Sequence, residues 1–258
     1  MRIPDYHVHT EWSYDAPRGS MEQSCERALE IGLPAIAFTD HADFVTVNPG
    51  QYCVDIVGYL DAVERCRAKY KGLRILSGVE LGEPHWFPEE TDRILNAGKL
   101  DHVLGSVHCV RIGGRILDAS GLSKSQDVDP VAFTHAFFAE TLAMIERGQA
   151  FQTLAHIDYP KRYWPGYHEE EFEEQLRAVL AAAVKRELVL EVNTTRGSVL
   201  CPSQTVLGWW RELGGKAVSF GSDAHDPAKV AAGFEHASQM VEATGFKPAP
   251  EPTALWRR

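Results

Sequence analysis

Short apolar runs rich in β-branched residues alternate along this chain with longer stretches of helical period. The apolar runs predict seven strands: Ile3–His9, Ala35–Asp40, Arg74–Glu80, His102–His108, Gln152–His156, Leu188–Asn193 and Ala217–Asp223. Helices are predicted between them. One starts at Ser20, where S-M-E-Q reads as a capping box; another covers Val54–Lys69. The stretch "VAFTHAFFAETLAMIERG" ends on a capping Gly148. In "EEEFEEQLRAVLAAAVKRE" acids fill the first turn and bases the last, as the helix dipole favours. Two further helices are expected over Ser203–Leu213 and Pro227–Ala243.

Seven alternating strand–helix units predict the α/β class, with a parallel sheet either closed into a barrel or left open. The exception is "SVHCVRIGGRILDAS", whose Gly113-Gly114 reads as the turn of a hairpin hung on the fourth unit. Neither an internal repeat nor a low-complexity linker interrupts the pattern. One domain over residues 1–258 is expected, with the proline-rich segment 247–258 as an extended tail.

Composition narrows the function classes. The 258 residues are 44% hydrophobic, enough for a substantial core. The formal net charge is -10, which argues against a broad nucleic-acid surface and requires local cations for any phosphorylated ligand. The five cysteines (Cys25, Cys53, Cys66, Cys109, Cys201) are odd in number and never form C-x-x-C, so free thiols in a reducing compartment are expected. No apolar run of transmembrane length and no signal-like start at Met1 is present, so a cytoplasmic location without membrane association is the expectation.

The ligand-type residues fall where the predicted strands end. His7 and His9 close the first and share one face of it, because residues i and i+2 of a strand point the same way. Asp15 lies in the loop beyond. The second strand runs into Asp40, His41 and Asp43, and the third ends at Glu80. His108 and His156 end the fourth and fifth, Arg196 follows the sixth, and Asp223 and His225 follow the seventh. In α/β barrels the carboxyl ends of the strands build the active site. Imidazoles and carboxylates crowded at one rim frustrate one another unless dications hold them, so the set points to a multimetal site.

This pattern of H-x-H, D-H, a glutamate after a strand, two isolated histidines and a closing D-A-H resembles the PHP (polymerase and histidinol phosphatase) superfamily, from His7 to His225. "GVELGEP" and "GSVH" look most like its histidinol-phosphate phosphatase branch. The resemblance implies a distorted (β/α)7 TIM-like barrel with three divalent metal ions at the C-terminal ends of the strands. His7, His9, Glu80 and Asp223 would hold the first ion. Glu80 would bridge to a second, also held by His108 and His156. Asp15, His41 and His225 would hold the third. Many relatives carry histidine where this chain has Asp15, and the oxygen ligand favours a harder ion. Iron and zinc are therefore expected, with manganese as the substitute.

The implied activity is hydrolysis of L-histidinol phosphate to L-histidinol and inorganic phosphate in histidine biosynthesis. Paired ions make hydroxide available near neutral pH for in-line attack on phosphorus, with Asp15, His41, Glu80, Asp223 and His225 around the reacting atoms. Arg162 and Arg196 are the expected phosphate clamps, because guanidinium forks match phosphate oxygens. Asp43 and Glu83 are expected at the rim against the substrate's cationic groups, with Phe44 and Trp86 as an aromatic wall. The alternative activity is a PHP-type phosphoesterase acting on nucleotides or other phosphate esters. A trimming nuclease lacks its basic track here, a metal module serving a polymerase lacks the polymerase, and an amidohydrolase lacks its bridging lysine.

Overall fold

A computed structural model describes residues 3–45, 54–124, 127–148, 151–197 and 199–258, with Arg196 described in its main chain alone. Its strands, in chain order, are β1 (Asp5–Val8), β2 (Ala35–Phe38), β3 (His41–Asp43), β4 (Arg74–Gly82), β5 (His102–Ser106), β6 (Cys109–Ile112), β7 (Arg115–Asp118), β8 (Thr153–Leu154), β9 (Val189–Arg196), β10 (Val199–Cys201), β11 (Ala217–Gly221) and β12 (Trp256–Arg257). The helices are α1 (Met21–Ile31), α2 (Ile56–Lys69), α3 (Pro88–Leu95), α4 (Pro130–Glu146), α5 (Glu173–Lys185), α6 (Gln204–Glu212) and α7 (Phe234–Ala243).

Seven strands follow one another in the order β1-β2-β4-β5-β8-β9-β11, each pair parallel. The sheet then curls until its two ends meet at the mouth. There the Asp223 N–H donates to the His7 carbonyl at 2.7 Å, and the His9 N–H to the Ala224 carbonyl at 2.9 Å. Below that point a side chain completes the seam: Asp5 accepts from both the N–H and the hydroxyl of Ser222. The result is the distorted seven-stranded TIM-like barrel.

Sequence and local structure agree for most helices. Ser20 caps α1 by accepting the Gln23 N–H, and Asp55 caps α2 through the Gly58 N–H, so α2 begins two residues later than the pattern suggests. Gly113 and Gly114 both take positive φ, as a tight antiparallel turn between β6 and β7 requires. Arg111 of this hairpin stacks over the Trp86 ring at 3.8 Å, fastening it to the β4 exit.

Three departures have local causes. α3 is only eight residues long and poor in apolar side chains, burying Thr91 and Ile94, and so escapes a hydrophobic reading. The expected helix over Pro227–Ala243 breaks into a 3₁₀ turn (Pro227–Lys229) and α7. Between them the Ala231 N–H is drawn to Asp5 and the Ala232 carbonyl to the Thr194 hydroxyl, and Gly233 takes φ 81°. The proline-rich end does not trail free: β12 pairs antiparallel with β11, and Trp256 is buried edge-on against Phe220 at 5.1 Å.

Cys25, Cys66 and Cys201 are buried free thiols, Cys109 is buried with its Sγ 3.9 Å from Asp118 Oδ2, and Cys53 lies outside the described residues. No described helix is long and apolar enough to cross a membrane.

Candidate metal centre

The barrel mouth gathers the strand-end residues into one cavity of about 250 Å³. Asp15, His41, Glu80, His108, His156, Arg162, Asp223 and His225 line it, together with Tyr159, Tyr163 and Thr195. His7 and His9 form the floor, fully buried. His7 and Glu80 sit within β1 and β4. His41 opens the short strand β3, His9, His108, His156 and Asp223 fall one or two residues past strand ends, and Asp15 and His225 lie in the loops beyond.

The contacts sort the side chains into interlocked groups. His7 Nε2 is 3.0 Å from His9 Nε2 and 3.2 Å from Glu80 Oε2, and His9 Nε2 is 3.3 Å from Asp223 Oδ1. The other Glu80 oxygen lies 3.2 Å from His108 Nε2 and 2.7 Å from His156 Nε2. At the open side, Asp15 Oδ2 is 3.1 Å from His225 Nε2 and 3.4 Å from His41 Nε2. Four trios (His7, His9 and Asp223; Glu80, His108 and His156; His9, His41 and His225; His41, Asp43 and His108) each bring three ligand atoms within 4.8 Å of one another.

The imidazoles are tied from behind, and this decides what the cluster can bind. His7 Nδ1 donates to Glu191 Oε1 at 2.6 Å, and His225 Nδ1 to the Asp223 carbonyl at 2.9 Å. His9 Nδ1 meets the Ser13 hydroxyl at 3.0 Å, and that hydroxyl gives its own proton to Asp40. Ser13 must therefore accept from His9. His108 Nδ1 reaches Asp43 Oδ1 at 3.3 Å. A neutral ring tied in this way is left with an unprotonated Nε2 facing inward. Inward lone pairs then confront Glu80, Asp15 and Asp223 with no proton to share. Burying such a set is costly unless cations occupy it, so the donor set fits divalent metal ions.

Protons are the alternative to cations here: against the pull of burial, the carboxylates facing them raise His7 and His108 well above the ordinary imidazole range. Burial alone would keep Glu80 protonated, but His7, His108 and His41 hold its carboxyl well below the usual range. Asp223 is likewise buried, and Arg162 and His7 hold it well below the usual range. Arg162, in the 3₁₀ turn Tyr159–Arg162, places Nη1 2.8 Å from Asp223 Oδ2 and its guanidinium 4.8 Å over the Tyr159 ring. Its Nε and Nη2 are buried without a hydrogen-bond partner among the described residues. Arg196 ends β9 at the same rim, but its side chain lies outside the described residues.

Two expectations are corrected. Asp43 and Glu83 are not at the rim; both are fully buried and neither lines the cavity. β3 pairs parallel with β4 and carries Asp43 behind the rings, 3.3 Å from both His41 Nδ1 and His108 Nδ1. Gly82 leaves that space open, since a Cβ there would sit 1.6 Å from Asp43 Oδ1. Glu83 accepts the main-chain N–H groups of His108 and Cys109, fixing the turn that presents His108. Burial, with Asp43 nearby, pushes the Glu83 carboxyl up to about 8. Phe44 and Trp86 also lie off the cavity, against Phe87 and Arg111 respectively.

Residues that the sequence reading passed over complete the site. Tyr159, Tyr163 and Thr195 line the wall. Glu191 and Asn193 support the floor from β9. An acid inside the apolar run "LVLEVN" was the available sign of Glu191.

Known proteins are similar to this chain over nearly its whole length. A protein of Clostridium acetobutylicum named "Probable histidinol-phosphatase" is 30% identical over 255 residues, covering 95% of this chain and 94% of that protein. A histidinol-phosphatase of Lactococcus lactis subsp. lactis is 26% identical, covering 95% and 93%. The solved structure of histidinol phosphate phosphatase from Lactococcus lactis subsp. lactis, complexed with zinc, L-histidinol and phosphate, superposes with a TM-score of 0.85. It is 23% identical and covers 99% of this chain and 97% of that one, a likeness of fold. The PHP domain description matches residues 5–195. A barrel seamed at His7, a mouth of inward-facing imidazoles and this kinship lead to one conclusion: the chain belongs to the PHP domain family, in its histidinol-phosphatase branch.

Proposed function

We propose that this protein is a metal-dependent phosphatase that hydrolyses L-histidinol phosphate to L-histidinol and inorganic phosphate in histidine biosynthesis, in the cytoplasm. The observation that carries the reading is Arg162: a buried guanidinium, braced on Asp223, with two unpartnered nitrogens at the edge of a cavity full of metal-type donors. A phosphoryl group satisfies both nitrogens at once. The relatives named above carry the same activity in their names.

In this reading His7, His9, Glu80 and Asp223 hold one ion, and Glu80, His108 and His156 a second. Asp15, His41 and His225 hold the third. Iron and zinc suit the set, and manganese is the substitute at the Asp15 pocket, where an oxygen ligand favours a harder ion. Bound there, such ions lower the pKa of water towards neutrality and neutralise phosphoryl oxygens. The chain does the rest. Glu80 spans two pockets with its two oxygens, fixing their separation. Arg162 donates from Nε and Nη2 to the phosphate, Tyr159 supports its plane from below, and Arg196 supplies the second clamp. These contacts orient the ester for in-line attack and strengthen as charge builds on the equatorial oxygens.

The test is release of inorganic phosphate by protein stripped of metal and reloaded with iron, zinc or manganese. Histidinol phosphate should be preferred over p-nitrophenyl phosphate and nucleotides. Equal rates on all three would leave a general phosphoesterase.

A further inference from the structure

We infer that Glu191 is a positioning residue that fixes the ring of His7, and so sets the affinity of the innermost metal pocket; this rests on the metal reading above. Glu191 stands on β9, 1% exposed, outside the cavity lining. Its two oxygens are fully engaged and all their partners are donors. Oε1 takes His7 Nδ1 at 2.6 Å. Oε2 takes the main-chain N–H of His156 at 2.8 Å and Asn193 Nδ2 at 3.2 Å. Asn193 Nδ2 also reaches Asp223 Oδ2 at 3.3 Å, and that oxygen holds Arg162. The fold reserves room for this carboxylate: a Cβ on Gly221 would lie 2.2 Å from Glu191 Oε1 and 2.6 Å from the His7 Cβ.

The number of acceptors decides the role of this side chain. Glu191 needs two acceptor oxygens, one for each side. Glutamine has nearly the same volume but offers one oxygen and one amide nitrogen. A main-chain N–H has no alternative form, whereas an imidazole can move its proton to the other nitrogen. In Glu191→Gln the amide oxygen therefore stays with His156 and Asn193, and the amide nitrogen faces His7. The ring responds by carrying its proton on Nε2, which removes the lone pair that faces Glu80 Oε2 and Asp223 Oδ1. The cost falls on the pocket of His7, His9, Glu80 and Asp223. His108 keeps Asp43 behind its ring, and His156 keeps its main-chain bond to the side chain at position 191.

The experiment is zinc titration of the stripped full-length chain against a chromophoric chelator. It is joined to nitrogen-15 NMR of the histidine rings in the zinc-loaded protein. Unaltered protein should show His7 protonated at Nδ1. Glu191→Gln should bind one ion about 10- to 100-fold more weakly, keep its remaining equivalents at unaltered affinity, and lose the Nδ1–H signal of His7. Asn193→Ala leaves Glu191 on His7, so it should keep that signal. A His7 ring protonated at Nε2 in the unaltered protein overturns the inference without recourse to any variant. Equal loss at every pocket in Glu191→Gln overturns it too, since that marks a general structural role. Unaltered protein that takes up no zinc overturns the metal reading and this inference with it; normal uptake with an unchanged Glu191→Gln overturns the inference alone.

Discussion

The inner and outer halves of the cluster use the same side-chain types but are built differently. His7, Glu80 and His156 lie on or immediately beyond barrel strands, with side-chain exposures of 0%, 1% and 2%. Asp15 and His225 lie in loops, at 37% and 29%. A carboxylate or hydroxyl behind the ring holds several of the inner imidazoles in place, whereas the outer carboxylate, Asp15, is held chiefly by the two rings it faces. Strand-borne donors are placed by the barrel before anything binds. Loop-borne donors owe their closeness to what they share. The inner pockets should therefore be tight and slow to exchange, and the outer one labile.

The largest effect should come from removing the residue that joins the inner pockets. Glu80→Gln leaves one oxygen where five imidazoles (His7, His9, His41, His108 and His156) now approach two. Phosphate release should fall about 10³-fold or more, since metal charge stabilisation is worth several kcal/mol. Elemental analysis should show the inner ions depleted. A variant with full metal content and normal turnover would break the comparison at its root.

Arg162→Ala comes next, with an expected loss of about 10²- to 10³-fold in kcat/KM, the scale for deleting one donor to a developing oxyanion. Metal content separates two roles for this residue. If the guanidinium serves phosphate, the ions stay; if it mainly props Asp223, an inner ion leaves with it.

Asp15 sharpens the contrast between the halves. Asp15→Asn should weaken the outer ion by at least the 10- to 100-fold typical of lesser perturbations to a metal site, while the inner pockets stay filled. In the unaltered protein, dialysis against a chelator should strip one equivalent well before the others. Asp15→His replaces an oxygen ligand by nitrogen and should move the outer preference from iron or manganese towards zinc. Simultaneous loss of all ions in the time course would show that the pockets do not differ as their burial suggests.

What could be read from the chain beforehand follows from how local each cause is. His7 and His9 share a face because strand geometry alternates, and Glu80 after an apolar run needs a cation; both facts are visible in a few consecutive residues. Asp43 looked like a rim residue for an equally local reason, its place just beyond a strand. Its real position depends on Gly82, 39 positions later, lacking a side chain. Glu191 supports a histidine 184 positions away, which no spacing rule reaches. β12 has two residues, so its pairing follows from its neighbour β11 rather than from its own pattern.

The smallest effect concerns Glu83, the buried acid behind His108. Its carboxyl is pushed up to about 8 from an ordinary 4.5, by burial first and by Asp43. The folded state therefore binds a proton that the unfolded state releases, so the favourable contribution is complete below pH 4.5 and disappears as pH rises through 8. Oε1 is occupied by the two main-chain N–H groups, and Oε2 has no hydrogen-bond partner among the described residues, so the proton belongs on Oε2. Glu83→Gln keeps the accepting oxygen and cannot ionise. Urea unfolding of stripped protein between pH 4.5 and 8 should show the unaltered chain losing stability more steeply, by at most about 1.4 kcal/mol per pH unit. Parallel profiles for the two proteins would mean that Glu83 stays ionised in the fold, and that the turn presenting His108 tolerates a bare buried charge.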